Sequence, residues 1–196
     1  MADPHIRLIL LCHAATRSTR RAAFADGEAA EEKGLAAAAG LAGSLPSIAQ
    51  AFVSPALCAR QTAAALGVAA VEKDALRDCD WGRWRGLALD EAAAAEPDEV
   101  ATWLTDPDAA PHGGESVTAL VRRVAYWMDG GGLAGTVLAV THQAVVRAAA
   151  IHALGAPASC FWRLDAPPLS ALELTRSSGR WRMRASRVQR ASSPPI

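Results

Sequence analysis

Ile6-Arg7-Leu8-Ile9-Leu10-Leu11-Cys12-His13-Ala14-Ala15-Thr16 opens on an apolar run interrupted only by Arg7. Such a run predicts a strand buried on both faces, as in a parallel sheet. A second run, in Thr136 to Thr141, passes into Val140-Thr141-His142-Gln143. Each run carries a histidine just beyond its end. In open α/β sheets ligands bind beyond the carboxyl ends of strands. His13 and His142 are therefore expected to meet at one site.

The elements between and after these runs read as alternating strands and helices. Gly34 to Leu45 predicts an Ala/Leu helix stopped at Pro46. Ile48 to Val53 predicts a strand, Ser54-Pro55 a turn, and Leu57 to Leu66 a helix ended by Gly67. Val68 to Val71 is a possible third strand. Leu89 to Trp103 predicts a helix broken at Pro97, followed by a Pro/Gly-rich loop from Asp106 to Gly114. Val117, Leu120, Val121, Val124 and Met128 recur at helical spacing, predicting an amphipathic helix over Glu115 to Asp129. Gln143 to Leu154 predicts a helix capped by Gly155. Ser170 to Thr175 and Trp181 to Ser186 predict a hairpin around Ser178-Gly179, and Arg190 to Ile196 a loose tail. The fold class expected is α/β: a three-layer α/β/α sandwich with a mostly parallel central sheet, formed by one domain over residues 1–196.

Composition narrows the function classes. Twenty basic and twenty acidic residues cancel, so no net field draws nucleic acid or an anionic membrane. No basic segment with an apolar core stands at the start, and Gly34 to Ala59, though uncharged, is interrupted by Pro46 and Pro55. A soluble, cytoplasmic protein is expected. Cys12, Cys58, Cys79 and Cys160 show no paired short spacing, which argues against a disulfide framework or a zinc ribbon.

Four segments in order carry chemistry: Leu11-Cys12-His13-Ala14, Ser54 to Ala63 with Arg60-Gln61-Thr62-Ala63, Leu76-Arg77-Asp78-Cys79-Asp80-Trp81-Gly82, and Val140-Thr141-His142-Gln143 followed by Ala144-Val145-Val146-Arg147. This order resembles the histidine phosphatase superfamily, also called phosphoglycerate-mutase-like. The resemblance implies a phosphatase of small-molecule phosphoesters that needs no metal and no cofactor, with no nucleic-acid or membrane partner. It implies His13 as the nucleophile, since a neutral imidazole nitrogen can form a phosphohistidine. It implies His142 and Arg60 on the phosphoryl oxygens, Arg60 standing slightly contracted against the family's Ser followed by Arg-Ala-x-Gln-Thr-Ala. Asp78 takes the place of the acid that protonates the leaving alcohol; Asp80 competes, and register favours Asp78. Thr16, Arg17 and Gln143 join the expected phosphate-binding residues. Trp81, Trp84 and Gly86 fit the family's Phe/Tyr-Gly-x-Trp-x-Gly, read as packing. Gly113-Gly114-Glu115-Ser116 matches Gly-Gly-Glu-Ser, with Ser116 or Glu115 as a helix cap.

One departure stands out. The family writes Arg-His-Gly where this chain has Cys12-His13-Ala14. Removing a cationic partner of a transferring phosphoryl group commonly costs about 10²–10³ in rate. Arg17, Arg20 or Arg21 of the following loop could replace that charge. Three readings follow: an active phosphatase, a phosphoester-binding member without turnover, and a metal site using Cys12, His13, Cys79 and His142. The last has suitable ligand types but no ligand-spacing motif.

Overall fold

The computed structural model describes residues 5–184. The expected loose tail, and the far end of the final hairpin at Ser186, lie outside the described residues. In chain order the strands are β1 (Ile6–Cys12), β2 (Gln50–Val53), β3 (Val71–Glu72), β4 (Gly135–Thr141), β5 (Ala171–Ser177) and β6 (Arg180–Met183). The helices are α1 (Arg17–Arg20), α2 (Glu32–Leu41), α3 (Leu57–Ala65), α4 (Leu89–Ala95), α5 (Pro97–Thr105), α6 (Val117–Asp129) and α7 (Gln143–Leu154).

The six strands form one sheet in the order β3-β2-β4-β1-β5-β6. β3, β2, β4 and β1 run parallel, and β5 and β6 are antiparallel to their neighbours. The two histidine-bearing strands are thus direct neighbours at the centre, with Cys12 opposite Thr141. Because successive side chains alternate across a strand, β1 feeds both faces. Leu8, Leu10 and Cys12 join α6 and α7 in one core, whereas Ile9 and Leu11 join α2 and α3 in the other. Helices on both faces of a mostly parallel sheet are the α/β/α sandwich that the two apolar runs demand.

The boundaries differ from the sequence reading where backbone groups found other partners. α2 begins two residues early, at Glu32. The third strand shrinks to two residues because the Val68 N–H is taken by the Ala63 carbonyl, closing the end of α3. α1, expected as loop, is set by a capping box between Thr16 and Thr19. Ser116 is the N-cap of α6, accepting from Ala119 N, and Gly155 caps α7 in the left-handed region. No helix among the described residues is long and apolar enough to cross a membrane.

A tight crossing of two loops props the front of the sandwich. Gly114 lies against Asp80, and Glu115 N donates to the Asp80 carbonyl at 2.7 Å. Gly114 N donates to His112 Nδ1 at 3.0 Å, and the His112 ring packs on Trp84 at 5.0 Å between centroids. Burial lowers the His112 pKa below its ordinary 6.5, with Asp80 opposing. The unfolded chain then binds the proton more readily, so this contribution to stability is present above the ordinary histidine pKa and is lost as pH falls below it. His142 pulls the same way, so the difference between proteins isolates His112. Urea titrations of wild type and His112→Gln between pH 7.5 and 5 are expected to show the gap between the two narrowing in acid. A gap that stays constant with pH would refute the assignment.

Candidate active site

His13 and His142 emerge where the central strands end. The His13 N–H extends the β1–β4 ladder by donating to the Thr141 carbonyl at 2.8 Å, and His142 is the N-cap residue of α7. The two rings meet edge to face with centroids 5.0 Å apart. Both are buried. They sit in the wall of a cavity of about 680 Å³ that Asp78 and Thr16 also line. Gln143 lines it as well, with its amide 3.3 Å from Asp165 Oδ1.

Each histidine is oriented by its second nitrogen. His13 Nδ1 lies 2.7 Å from the Ala14 carbonyl, which can only accept. Nδ1 therefore carries a proton, and in the neutral ring the lone pair is on Nε2. His142 Nε2 lies 2.7 Å from Ser54 Oγ, while its buried Nδ1 has no hydrogen-bond partner. Asp78 Oδ2 is 3.7 Å from that Nδ1, beyond hydrogen-bond range. Burial, only partly offset by Asp78, lowers the His142 pKa to about 4.

Asp78 is held from three sides. Its Oδ1 accepts from Cys79 N at 2.9 Å and its Oδ2 from Trp81 Nε1 at 3.3 Å. Behind it, Arg123 donates to the carbonyls of Ala75, Arg77 and Asp78 and pairs with Glu115 at 2.6 Å. Trp84 is packing, as expected, but Trp81 both packs and steers the carboxylate. Asp80 also lines the cavity, but its carboxylate is committed to Gly82 N and to Arg85.

Two expected cations are not there. Arg60 points to solvent from α3 and pairs with Glu72 at 3.2 Å. Residues two apart on a helix are turned about 200° from one another, and it is Cys58 that faces the cavity. Aligning Ala59 and Gln61-Thr62-Ala63 with Arg-Ala-x-Gln-Thr-Ala, without contraction, places Cys58 at the motif arginine. Arg17 is exposed and lines a shallow neighbouring groove with Arg21 instead. Arg20 and Arg21 pair with Glu31 and Glu91. None of the three fills the space beside Cys12.

The cavity wall carries more carboxylates than arginines. Its arginines are Arg77, Arg85 and Arg147: the first two are hydrogen-bonded to Asp74 at 3.1 Å and Asp80 at 2.8 Å, whereas Arg147 stands 3.8 Å from Asp165 and its buried Nε has no hydrogen-bond partner. Against them stand Asp26, Glu28, Asp78 and Asp80. Burial opposes ionisation of Glu28, but hydrogen bonds from Ser18 and Thr16 outweigh it and hold its pKa at about 2. Burial first, then the Asp78 charge, pushes the Cys12 and Cys58 thiols up to about 12. Cys79 is spoken for, its Sγ–H donating to the Glu115 carbonyl at 3.3 Å.

Comparison with known proteins gives one consistent direction. The profile of the family described as histidine phosphatase superfamily (branch 1) matches residues 8–189. The bifunctional protein Rv2228c of Mycobacterium tuberculosis is 34% identical over 181 residues, covering 85% of this chain and 50% of that protein. The chain thus spans about half the length of the curated relatives it matches there. Among solved structures, a mycobacterial glucosyl-3-phosphoglycerate phosphatase in complex with VO3 superposes with a TM-score of 0.77 at 25% identity, over 91% of this chain and 96% of that one. A putative alpha-ribazole-5'-P phosphatase from Escherichia coli does so with a TM-score of 0.79 at 19% identity, over 91% and 94%.

Proposed function

For a chain that belongs to the histidine phosphatase superfamily, and whose two strand-end histidines share one cavity, we propose hydrolysis of a small-molecule phosphomonoester through a phosphohistidine on His13. The observation that carries this reading is the His13 Nδ1 contact with the Ala14 carbonyl, which leaves the lone pair on Nε2. Nε2 attacks phosphorus, the N–P bond forms and the P–O bond to the alcohol breaks. Asp78, protonated, gives its proton to the departing oxygen. It then takes a proton from water, whose oxygen attacks phosphorus and releases His13 and inorganic phosphate. With the Ser54 hydroxyl donating to His142 Nε2, the His142 Nδ1–H faces the phosphoryl oxygens. The first backbone N–H groups of α7 add further donors at a positive dipole end. Thr16 and Gln143 border this space; Arg60 and Arg17 have no part in it. The site needs no metal for these steps. The size of the cavity suits a medium-sized ester, and Phe24, Trp81 and Trp103 offer its alcohol portion an aromatic wall.

A second reading, phosphoester binding without turnover, is favoured by the two cysteines where the family carries arginines. Incubating the protein with an aryl phosphate and chelator, quenching in alkali and mapping phosphopeptides by mass spectrometry separates the two. One phosphoryl group on the peptide holding His13 is expected. Hydrolysis with the label elsewhere would overturn the nucleophile. Saturable phosphate binding with neither label nor hydrolysis would establish the second reading.

A further inference from the structure

The cavity wall also holds the donors of a soft metal site. His13, Cys58 and His142 bring one nitrogen, one sulfur and one nitrogen to within 4.8 Å of one another, all three buried. In tetrahedral zinc, with bonds of about 2.0–2.1 Å to nitrogen and 2.3 Å to sulfur, ligand atoms stand roughly 3.3–3.7 Å apart. The donor atoms thus stand at most about 1–1.5 Å farther apart than one bound ion would hold them. Two further observations point to a ligand here. The buried His142 Nδ1 has no partner, although Ser54 fixes the opposite nitrogen. And the carboxylates of the wall outnumber its arginines, of which Arg77 and Arg85 are already hydrogen-bonded to Asp74 and Asp80.

We propose that His13, Cys58 and His142 bind a divalent transition-metal ion that accepts thiolate, zinc being the type, and that the bound ion occupies the lone pair of His13. Coordination replaces the Cys58 S–H by an S–metal bond and releases that proton to solvent. The Ser54 hydroxyl turns to accept from His142 Nε2–H, which frees the Nδ1 lone pair. Such an outer hydrogen bond fixes tautomer and ring orientation in histidine metal sites. Three protein donors would leave a fourth position open, as in sites that hold an exchangeable ligand. The ligand set differs from Cys12, His13, Cys79 and His142, the one read off the sequence: Cys79 is engaged with Glu115, Cys12 is not in the cluster, and Cys58 joins the two histidines. Metal and phosphoryl group then compete for His13, so the ion acts as an inhibitor. That blocking role rests on the phosphatase reading, whereas the binding itself does not.

Titrating cobalt(II) into metal-stripped protein tests this directly. Binding of one equivalent is expected, with a thiolate-to-cobalt charge-transfer band. The band is expected to vanish in Cys58→Ser and to persist in Cys160→Ser. His13→Ala is expected to weaken binding roughly 100-fold. Ser54→Ala is expected to keep the band but weaken binding about 10–100-fold. Failure to bind one equivalent, a band that survives Cys58→Ser, or Ser54→Ala binding as tightly as wild type would overturn the site. Equimolar zinc is expected to stop hydrolysis of an aryl phosphate; hydrolysis undisturbed by saturating zinc would overturn the blocking role. A normal cobalt band in a protein without turnover in chelator would defeat the phosphatase reading and leave the metal site standing.

Discussion

Cys58→Arg is expected to raise kcat/KM for an aryl phosphate, measured in chelator, by roughly 10²–10³-fold, the reverse of the loss seen when one hydrogen-bonding partner of a transition state is removed. The transferring phosphoryl group spreads negative charge over its equatorial oxygens, and catalysis of that step is mostly positioning and electrostatics. A guanidinium from position 58 would enter the wall beside His13 and His142, where Arg77 and Arg85 are held by carboxylates. The same change deletes the thiolate, so zinc is expected to lose its inhibitory grip in this variant. Adding His13→Ala to Cys58→Arg should remove the whole gain. A folded Cys58→Arg protein with unchanged kcat/KM would show that charge at this point does not limit the reaction, and would count against phosphoryl transfer at His13.

Gly114→Ala is expected to destabilise the protein by about 3–5 kcal/mol, the upper end of single-residue effects. A Cβ there would stand 2.8 Å from Gly82 N and far inside contact distance of the Asp80 carbonyl, and neither atom belongs to a flexible side chain. For a chain of this size that is a fall in melting temperature of roughly 6–20 °C. Gly113→Ala is the comparison. Nothing lies within 4 Å of its Cβ position, so only the backbone at φ +78° is penalised, by about 1–2 kcal/mol. Thermal melts of the two proteins therefore decide whether the crossing, rather than local backbone freedom, accounts for the paired glycines. Equal losses would refute the crossing.

The central strands and their histidines were legible because strands buried on both faces must be apolar throughout, and ligands gather where such strands end. α6 was legible from its spacing, and the caps at Ser116 and Gly155 from residue type. Arg60 was misread because a contraction was allowed in a segment that is helical, where one step of register swings a side chain by about 100°. The signal was present: Ala59 and Gln61-Thr62-Ala63 fix the register and hand the cavity position to Cys58. What no spacing could disclose is the meeting of Cys58 with His13 and His142, which three separate chain segments bring about only after the sheet has assembled. Nor could it disclose that the loop arginines are claimed by Glu31 and Glu91, or that Trp81 steers Asp78.

The place of β1 in the sheet has a consequence for how the chain is made. Ile6 pairs with Gly135 on one side and with Arg176 on the other, separations of 129 and 170 residues. A ribosome working at about 5–20 residues per second leaves the most apolar strand without its first long-range neighbour for roughly 6–26 s. Pairings this distant also slow the search once synthesis ends. Ile6 to Cys12 is thus the segment a nascent-chain holdase would shield, and overproduction without one would be expected to send the protein into inclusion bodies.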